Sequence, residues 1–262
     1  MNFLRKAEFN FWRFAEARSL LEIQSFYLLR PLMNRLPKSD GHPVLVLPGF
    51  MASDVSTAPL RGLLADLGYK TYGWGLGRNI IVDRHREADL QQLLRAIHEK
   101  HGQKVSVIGW SLGGLFAREI AKVHPECVRT VITLGSPISG QPKHSNVNRL
   151  FGFFNRARSA EHTERRKELN QAPPVPTTSI FSKSDGIVAW EGSLQHDGAE
   201  LENIRVPASH IGMGANPLVM YVIAERLAQA EGEWQRFNPS PLEKLIFSRV
   251  RNRRADTRPG FA

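Results

Sequence analysis

Cysteine and long hydrophobic runs are both scarce in this sequence. Cys127 is the single cysteine among 262 residues, so the chain can form neither an internal disulfide nor a zinc cluster built on cysteines. No stretch reaches the roughly 18 apolar residues that predict a membrane span. Charges at Arg5, Lys6, Glu8 and Arg13 interrupt the apolar run that a signal peptide would need. We therefore expect a cytoplasmic protein, and no residue pattern implies a metal or an organic cofactor.

Acidic residues are also in short supply, with 25 Asp and Glu against 35 Lys and Arg and a formal net charge of +10. Part of the excess lies in residues 233–262, a predicted basic tail in which Leu242, Leu245, Ile246 and Phe247 stand near lysine and arginine. Two interpretations stay open: a solvated tail, or a segment in peripheral contact with an anionic membrane. A nucleic-acid partner is not expected, because the sequence has no binding motif and little aromatic interleaving.

What the sequence does contain is an alternation of short apolar strands with helices. Residues 44–47, 104–109 and 129–134 are predicted strands, and residues 112–123 and 217–230 are predicted helices. Such an alternation predicts an α/β fold, in which helices cover both faces of a mostly parallel central sheet. A length of 262 residues suits one such domain with one or two additions.

Two segments depart from this alternation. Residues 1–40 carry apolar residues among charges and predict N-terminal amphipathic helices, with breaks at Pro31 and Pro37. Residues 139–176 form an irregular insertion, and an insertion of this length is often a lid. We therefore divide the chain into an N-terminal helical segment, an α/β domain over residues 41–232 that includes the lid, and the basic tail.

The pattern G-x-S-x-G occurs at residues 109–113, between a predicted strand and a predicted helix. This motif places a serine, here Ser111, on a sharp turn that lifts its oxygen above the sheet. Glycine is needed on either side because a larger side chain would collide with the neighbouring helix and strand. The helix N-terminus adds N–H groups that stabilise negative charge. Ser111 is therefore the predicted nucleophile, whereas Ser136, which Pro137 follows, is predicted to be a structural turn residue.

The segment Gly-Trp-Ser-Leu-Gly-Gly, residues 109–114, resembles the nucleophile elbow of the α/β-hydrolase family, and more narrowly that of bacterial lipases and carboxylesterases. The resemblance runs from about Pro43 to Ala230 and leaves out the N-terminal segment and the basic tail. It implies the α/β-hydrolase fold and a serine hydrolase that cleaves carboxylic esters. Dehalogenases and epoxide hydrolases of this fold use aspartate, and polyhydroxyalkanoate synthases use cysteine, so serine at this position excludes them.

The resemblance also implies a catalytic triad in the chain order serine, acid, histidine. Asp185 follows one late predicted strand and matches the acid, and His210 follows the last predicted strand and matches the base. In such a triad the histidine takes the proton of the serine, and the carboxylate stabilises the imidazolium that forms. His196 and Asp197 are the alternatives, and they are less favoured because they lie in a polar stretch that does not directly follow a strand.

Two backbone N–H groups are expected to form an oxyanion hole, those of Leu112 and Phe50. Phe50 lies in Pro-Gly-Phe-Met, which resembles the His-Gly-x segment of lipases with Pro48 in place of the histidine. This departure leaves the donor intact, because only the backbone of Phe50 is needed. Apolar residues near these positions predict a substrate-binding pocket for a hydrophobic acyl group, formed by Met51, Trp110, Phe151, Phe154, Ile211 and Met213.

Ester hydrolysis is the leading interpretation, and the substrate expected is a hydrophobic ester. An acyltransferase or a thioesterase would use the same triad, so the sequence leaves both open. A non-catalytic interaction protein would need no triad, and the fact that all three positions are filled argues against it.

Overall fold

The computed structural model describes residues 17–80, 84–139 and 170–250 of the chain. Its α-helices are α1 (Ser19–Met33), α2 (Asp54–Asp66), α3 (Arg84–His101), α4 (Leu112–Val123) and α5 (Pro217–Leu227). Its strands are β1 (Pro43–Leu47), β2 (Lys70–Gly73), β3 (Val105–Trp110), β4 (Val128–Leu134), β5 (Thr177–Phe181), β6 (Leu201–Arg205) and β7 (Ser248–Arg249). Within these ranges no helix has both the length and the apolar character needed to cross a membrane.

The described strands form a seven-stranded sheet in the order β2-β1-β3-β4-β5-β6-β7. Neighbouring strands are parallel except for β6 and β7, which are antiparallel. The strand β1 reads Pro-Val-Leu-Val-Leu and is buried along its whole length, as expected for a strand that is covered on both faces. This arrangement confirms the predicted α/β fold with a mostly parallel central sheet.

The strand order reverses beside β1 and β3, where a crevice is expected at the carboxyl ends of the strands. The chain passes from β1 outward to β2 and then returns to β3 on the other side of β1. In open α/β sheets, ligands bind outside the carboxyl ends of the strands at the point where the order reverses in this way. The loop after β1 and the turn after β3, which carries Ser111, meet there.

Helices cover both faces of the sheet. On one face α1, α2 and α5 pack around a core that includes Phe26, Leu63 and Val222. On the other face α3 and α4 pack around a core that includes Leu94 and Ile120. Each fully buried side chain of this size stabilises the fold by about 1.5–3 kcal/mol relative to the exposed side chain. The two cores hold the sheet, and therefore its carboxyl edge, in a fixed shape.

The helix α1 is the described part of the predicted N-terminal helical segment. Phe26 packs into the core, and Nη2 of Arg30 donates to Oδ2 of Asp66 at 2.6 Å, which joins α1 to the end of α2. The helix continues through Pro31 to Met33, so the break predicted at Pro31 was wrong. Proline lacks an N–H, so α1 loses the one hydrogen bond that residue 31 would donate to the carbonyl of Tyr27, and the helix ends within one turn.

The predicted basic tail also differs from expectation in its described part, residues 233–250. Phe237 and Phe247 are only 4% and 3% exposed, and the Phe247 ring stacks on Tyr221 at 5.4 Å between centroids. The strand β7 adds an antiparallel edge to the sheet beside β6. This part of the chain therefore packs onto the α/β domain instead of forming a separate tail; residues 251–262 lie outside the described residues.

The insertion predicted over residues 139–176 is described only at its two ends, because residues 140–169 lie outside the described ranges. At its exit, the buried guanidinium of Arg118 on α4 donates to the carbonyl of Gln171 at 2.9 Å and to Oε1 of Gln195 at 3.0 Å. Burial lowers the pKa of Arg118 to about 10. These contacts fix the point at which the chain returns to the sheet.

Candidate active site

The turn between β3 and α4 has the strained geometry that the G-x-S-x-G pattern predicts. Ser111 has φ 53° and ψ −116°, a conformation that costs a residue other than glycine about 1–3 kcal/mol. A Cβ on Gly109 would overlap the carbonyl of Gly113, and a Cβ on Gly113 would overlap the carbonyl of Leu47 at the end of β1. Only glycine fits either position, so the motif holds Ser111 in a bend that the rest of the fold enforces.

Ser111 is held between neighbouring strands at the carboxyl edge of the sheet. Its N–H donates to the carbonyl of Leu134, the last residue of β4, at 2.8 Å. In the loop after β1, a Cβ on Gly49 would lie 3.3 Å from the Cβ of Ser111. Ser111 is 5% exposed. It therefore lies where the strand order reverses, beside the ends of β1 and β3.

Asp185 and His210 are joined in the loops that follow β5 and β6. Nδ1 of His210 lies 2.7 Å from Oδ2 of Asp185, and both residues are 5% exposed. Because a carboxylate only accepts, the ring donates from Nδ1, and Nε2 of the neutral ring is the proton acceptor. Oδ1 of Asp185 accepts from the backbone N–H groups of Ile187 and Val188 at 2.8 and 2.7 Å. The carboxylate thus has a fixed orientation and sets the tautomer of the histidine.

Gly135, directly after β4, makes room for this pair. It has φ 53°, and a Cβ there would lie 2.9 Å from Oδ2 of Asp185 and 3.1 Å from Nδ1 of His210. Gly135 was not among the residues predicted to form the site. The signal that could have found it is its position: a glycine directly after a central strand, at the edge where the other site residues converge.

Trp110, the residue before Ser111, connects the elbow to the histidine loop. Its indole Nε1–H donates to the backbone carbonyl of His210 at 3.1 Å, and the two rings lie 6.5 Å apart between centroids. Gly214 packs against the same indole, where a Cβ would lie 3.1 Å from the ring. The predicted nucleophile and the predicted base are therefore held by one side chain.

The hydroxyl of Ser111 and the imidazole of His210 are the remaining pair of the predicted triad. The direct contact between this hydroxyl and Nε2 of His210 stays a prediction. Contacts between a nucleophile and its base are often long without substrate and tighten in the complex.

Asn79 shapes the loop that carries the predicted oxyanion donor Phe50. Its side-chain Nδ2 donates to the carbonyl of Pro48 at 2.8 Å. Its backbone carbonyl accepts from the N–H of Met51 at 2.8 Å, and its backbone N–H donates to the carbonyl of Ala52 at 2.8 Å. Met51 takes a left-handed backbone, with φ 59°, at the centre of this loop. The sequence did not predict this role for Asn79, because no local pattern connects it to the loop at residues 48–52.

Comparisons with known proteins add to this geometry. The family model of palmitoyl protein thioesterase matches residues 80–183, and no curated protein matches the sequence. Lipase B of Aspergillus fumigatus is similar in structure, with 21% identity and a TM-score of 0.58 over 75% of this chain and 54% of the lipase. Monoacylglycerol lipase of Paleococcus ferrophilus has 16% identity and a TM-score of 0.54 over 74% of this chain and 96% of its own. Lipase BlEst2 of Bacillus licheniformis has 17% identity and a TM-score of 0.54 over 74% of this chain and 94% of its own.

The chain has the α/β-hydrolase fold. Similarity at these levels of identity concerns the fold, and it confirms the fold that residues 109–114 implied. The chain spans about half the length of the Aspergillus lipase.

Both predicted oxyanion residues lie at the carboxyl edge of the sheet, near the turn that carries Ser111. Phe50 lies in the loop after β1, and Gly49, the residue before it, adjoins Ser111. Leu112 is the first residue of α4, so its N–H has no acceptor four residues earlier within the helix. Met51 and Ile211 are predicted to bind substrate, and they directly follow Phe50 and His210 in the sequence. Their side chains are 58% and 49% exposed, so both offer apolar surface.

The other predicted substrate-binding residues have different positions. Trp110 is partly buried and supports the histidine loop. Met213 is fully buried, and its sulfur would lie 3.0 Å from a Cβ on Gly135, so it has no surface for a substrate and its prediction was wrong. It lies beside Gly135, the glycine that also adjoins the acid and the base. Phe151 and Phe154 lie outside the described residues.

The alternative residues take other roles in the α/β-hydrolase fold. Nε2 of His196 lies 3.0 Å from Nδ2 of Asn170, at the exit of the insertion. The side chain of Ser136 is fully buried against Gly114, where a Cβ would overlap its Oγ. This contact explains why the elbow needs a further glycine at position 114, and it agrees with a structural role for Ser136.

Proposed function

We propose that this protein is a serine hydrolase that cleaves carboxylic esters, with Ser111 as nucleophile, His210 as base and Asp185 as acid. The observation that carries the proposal is the hydrogen bond between the buried side chains of Asp185 and His210, in a loop that Trp110 ties to the strained Ser111 turn. A histidine oriented by a carboxylate beside a serine on a nucleophile elbow is the constellation used for acyl transfer to water.

The reaction follows from the roles of these groups. Nε2 of His210 takes the hydroxyl proton while Oγ of Ser111 attacks the ester carbonyl, and the carboxylate of Asp185 stabilises the imidazolium. The backbone N–H groups of Phe50 and Leu112 stabilise the oxyanion, each worth about 2.7–4 kcal/mol in comparable sites. The imidazolium returns the proton to the leaving alcohol. Water then attacks the acyl-enzyme by the same steps and releases the acid.

Thioester hydrolysis is the second candidate, and the match of residues 80–183 to the palmitoyl protein thioesterase model is the observation that favours it. Both reactions pass through the same acyl-enzyme, so the triad does not distinguish them. The exposed apolar side chains of Met51 and Ile211 near the site suit a hydrophobic acyl group in either case.

We expect oxygen esters to be hydrolysed with a kcat/KM at least about tenfold above that of thioesters with the same acyl chain, a difference of about 1.4 kcal/mol in transition-state binding. The measurement compares esters of N-acetylethanolamine with the thioesters of N-acetylcysteamine, which differ only in oxygen or sulfur, from butyryl to palmitoyl, with Ser111→Ala as the control for background hydrolysis. A preference for thioesters would reassign the protein as a thioesterase. Product analysis with added alcohol would reveal an acyltransferase as a new ester in place of the free acid.

We also propose peripheral contact with an anionic membrane through the short turn around Lys244. Leu242 and Leu245, on either side of this lysine, are 78% and 80% exposed. Apolar side chains beside basic residues suit the interface of a membrane that carries anionic lipids.

Replacing both leucines, Leu242→Ser with Leu245→Ser, is expected to lower binding to anionic liposomes at least about tenfold, because each buried leucine contributes about 1.5–3 kcal/mol. Co-sedimentation with phosphatidylserine-containing vesicles measures this. Val123→Ser is the matched control, since Val123 is an exposed apolar residue on α4. Equal binding by the double variant and the control would contradict the proposal.

A further inference from the structure

The helix α1 makes polar contact with the loop that carries His210. Oε1 of Glu22 accepts from the N–H of Ser209 at 2.8 Å, and Oε2 accepts from the hydroxyl of the same serine at 2.7 Å. Ser209 directly precedes His210. The carboxylate of Glu22 therefore holds both the backbone and the side chain of the residue next to the proposed base.

The same loop closes around this carboxylate on its other side. The N–H of Gly212 donates to Oγ of Ser209 at 3.0 Å, and a Cβ on Gly212 would overlap the carboxylate of Glu22. A side chain at position 212 would therefore displace the carboxylate of Glu22 from this place. His210 lies between the two residues, Ser209 and Gly212, that contact Glu22 directly.

Arg18 extends the contact to the loop that carries Asp185. Its Nη2 donates to Oγ of Ser184 at 2.7 Å, and its Nε lies 3.2 Å from Oε1 of Glu22. Oγ of Ser184 lies 3.0 Å from Oγ of Ser182, which accepts from the N–H of Ala208 at 3.2 Å. One network of polar contacts therefore joins α1 to the residues that precede both the proposed acid and the proposed base.

Burial makes the Glu22 contact hard to replace. The Glu22 side chain is 12% exposed, and Ser209 is fully buried. If the carboxylate is removed, a buried N–H and a buried hydroxyl lose their acceptor, so the loop must rearrange to satisfy them. A rearrangement of this loop moves the histidine within it.

We propose that Glu22, oriented by Arg18, is a positioning residue that fixes the imidazole of His210 relative to Asp185 and Ser111. This inference rests on the proposed function, since positioning has a meaning only for a catalytic base. It assigns to the N-terminal helix, which lies outside the α/β-hydrolase resemblance, a direct part in the geometry of the site.

Glu22→Ala is expected to lower kcat about 10²-fold with little change in KM, because a misplacement of about 1 Å in a catalytic group costs a factor of this size. Glu22→Gln keeps one acceptor oxygen and is expected to recover about half of that loss on a logarithmic scale. The measurement is steady-state hydrolysis of p-nitrophenyl butyrate by the full chain, with thermal unfolding recorded for each variant. If Glu22→Ala does not fold, Glu22→Gln carries the test alone.

Arg30→Gln is the matched control, because it removes the contact of the same helix with Asp66 and touches neither loop. It is expected to leave kcat within about twofold of the wild type. The inference is overturned if Glu22→Ala keeps the wild-type kcat. Where Glu22→Ala does not fold, it is overturned if folded Glu22→Gln keeps the wild-type kcat. It is also overturned if Arg30→Gln lowers kcat as much as the Glu22 variants do. Failure of the proposed function is separate: there the wild-type protein itself hydrolyses no ester and takes no fluorophosphonate label on Ser111.

Discussion

Ser111→Ala is expected to lower kcat by at least about 10³-fold, with KM within a few-fold of the wild type. The substitution removes the atom that forms the acyl-enzyme, while the oxyanion donors and the substrate-binding surface remain. Alanine has the same Cβ as serine, so the strained turn and its hydrogen bond to Leu134 need not change. The measurement is steady-state ester hydrolysis, with labelling of the native protein by a fluorophosphonate probe and peptide mapping of the adduct.

Ser136→Ala is the control for this substitution. Ser136 is also a buried serine at the end of a central strand, but its side chain packs against Gly114. We expect its removal to leave kcat within a few-fold of the wild type. The proposed mechanism would be wrong if native Ser111 took no label, or if Ser111→Ala hydrolysed the ester as fast as the wild type.

The parts of the site that could be predicted from the sequence depend on local geometry. Gly109 and Gly113 are required because their own Cβ atoms would overlap backbone in the same bend or in the adjoining strand, so five consecutive residues carry the signal. The positions of Asp185 and His210 followed from the resemblance to the α/β-hydrolase family, which implies an acid after a late strand and a histidine after the last strand. Their hydrogen bond agrees with that expectation.

The parts that could not be predicted depend on contacts between distant residues. Glu22 and Ser209 are 187 positions apart, and Asn79 and Pro48 are 31 apart, so no local pattern connects either pair. Met213 was misassigned for a related reason: an apolar residue near a histidine in sequence can face the substrate or the core, and only the fold decides. Phe237 was not predicted as a core residue because an isolated aromatic in a polar stretch shows no periodicity. Phe247 was grouped with its apolar neighbours Leu245 and Ile246 as a membrane-contact residue, and it is buried instead.

Asp185→Asn is expected to lower kcat about 10⁴-fold, close to the effect of the same change in a comparable triad. Asp185 accepts three hydrogen bonds, two from the backbone N–H groups of Ile187 and Val188 at Oδ1 and one from His210 at Oδ2. The asparagine oxygen can take over the two backbone bonds, which turns the amide NH₂ toward Nδ1 of the imidazole. That NH₂ donates, so the ring must accept at Nδ1 and carry its proton on Nε2, where it no longer accepts the proton of a serine.

Asp197→Asn is the matched control, since Asp197 is the alternative acid and lies exposed before β6. It is expected to leave kcat within a few-fold of the wild type, measured with p-nitrophenyl butyrate. The tautomer argument adds a second readout: ¹⁵N chemical shifts of the His210 ring should place the proton on Nδ1 in the wild type and on Nε2 in Asp185→Asn. If the activity of Asp185→Asn stayed within tenfold of the wild type, or if Asp197→Asn lost as much, the carboxylate that orients the base would have to be a different one.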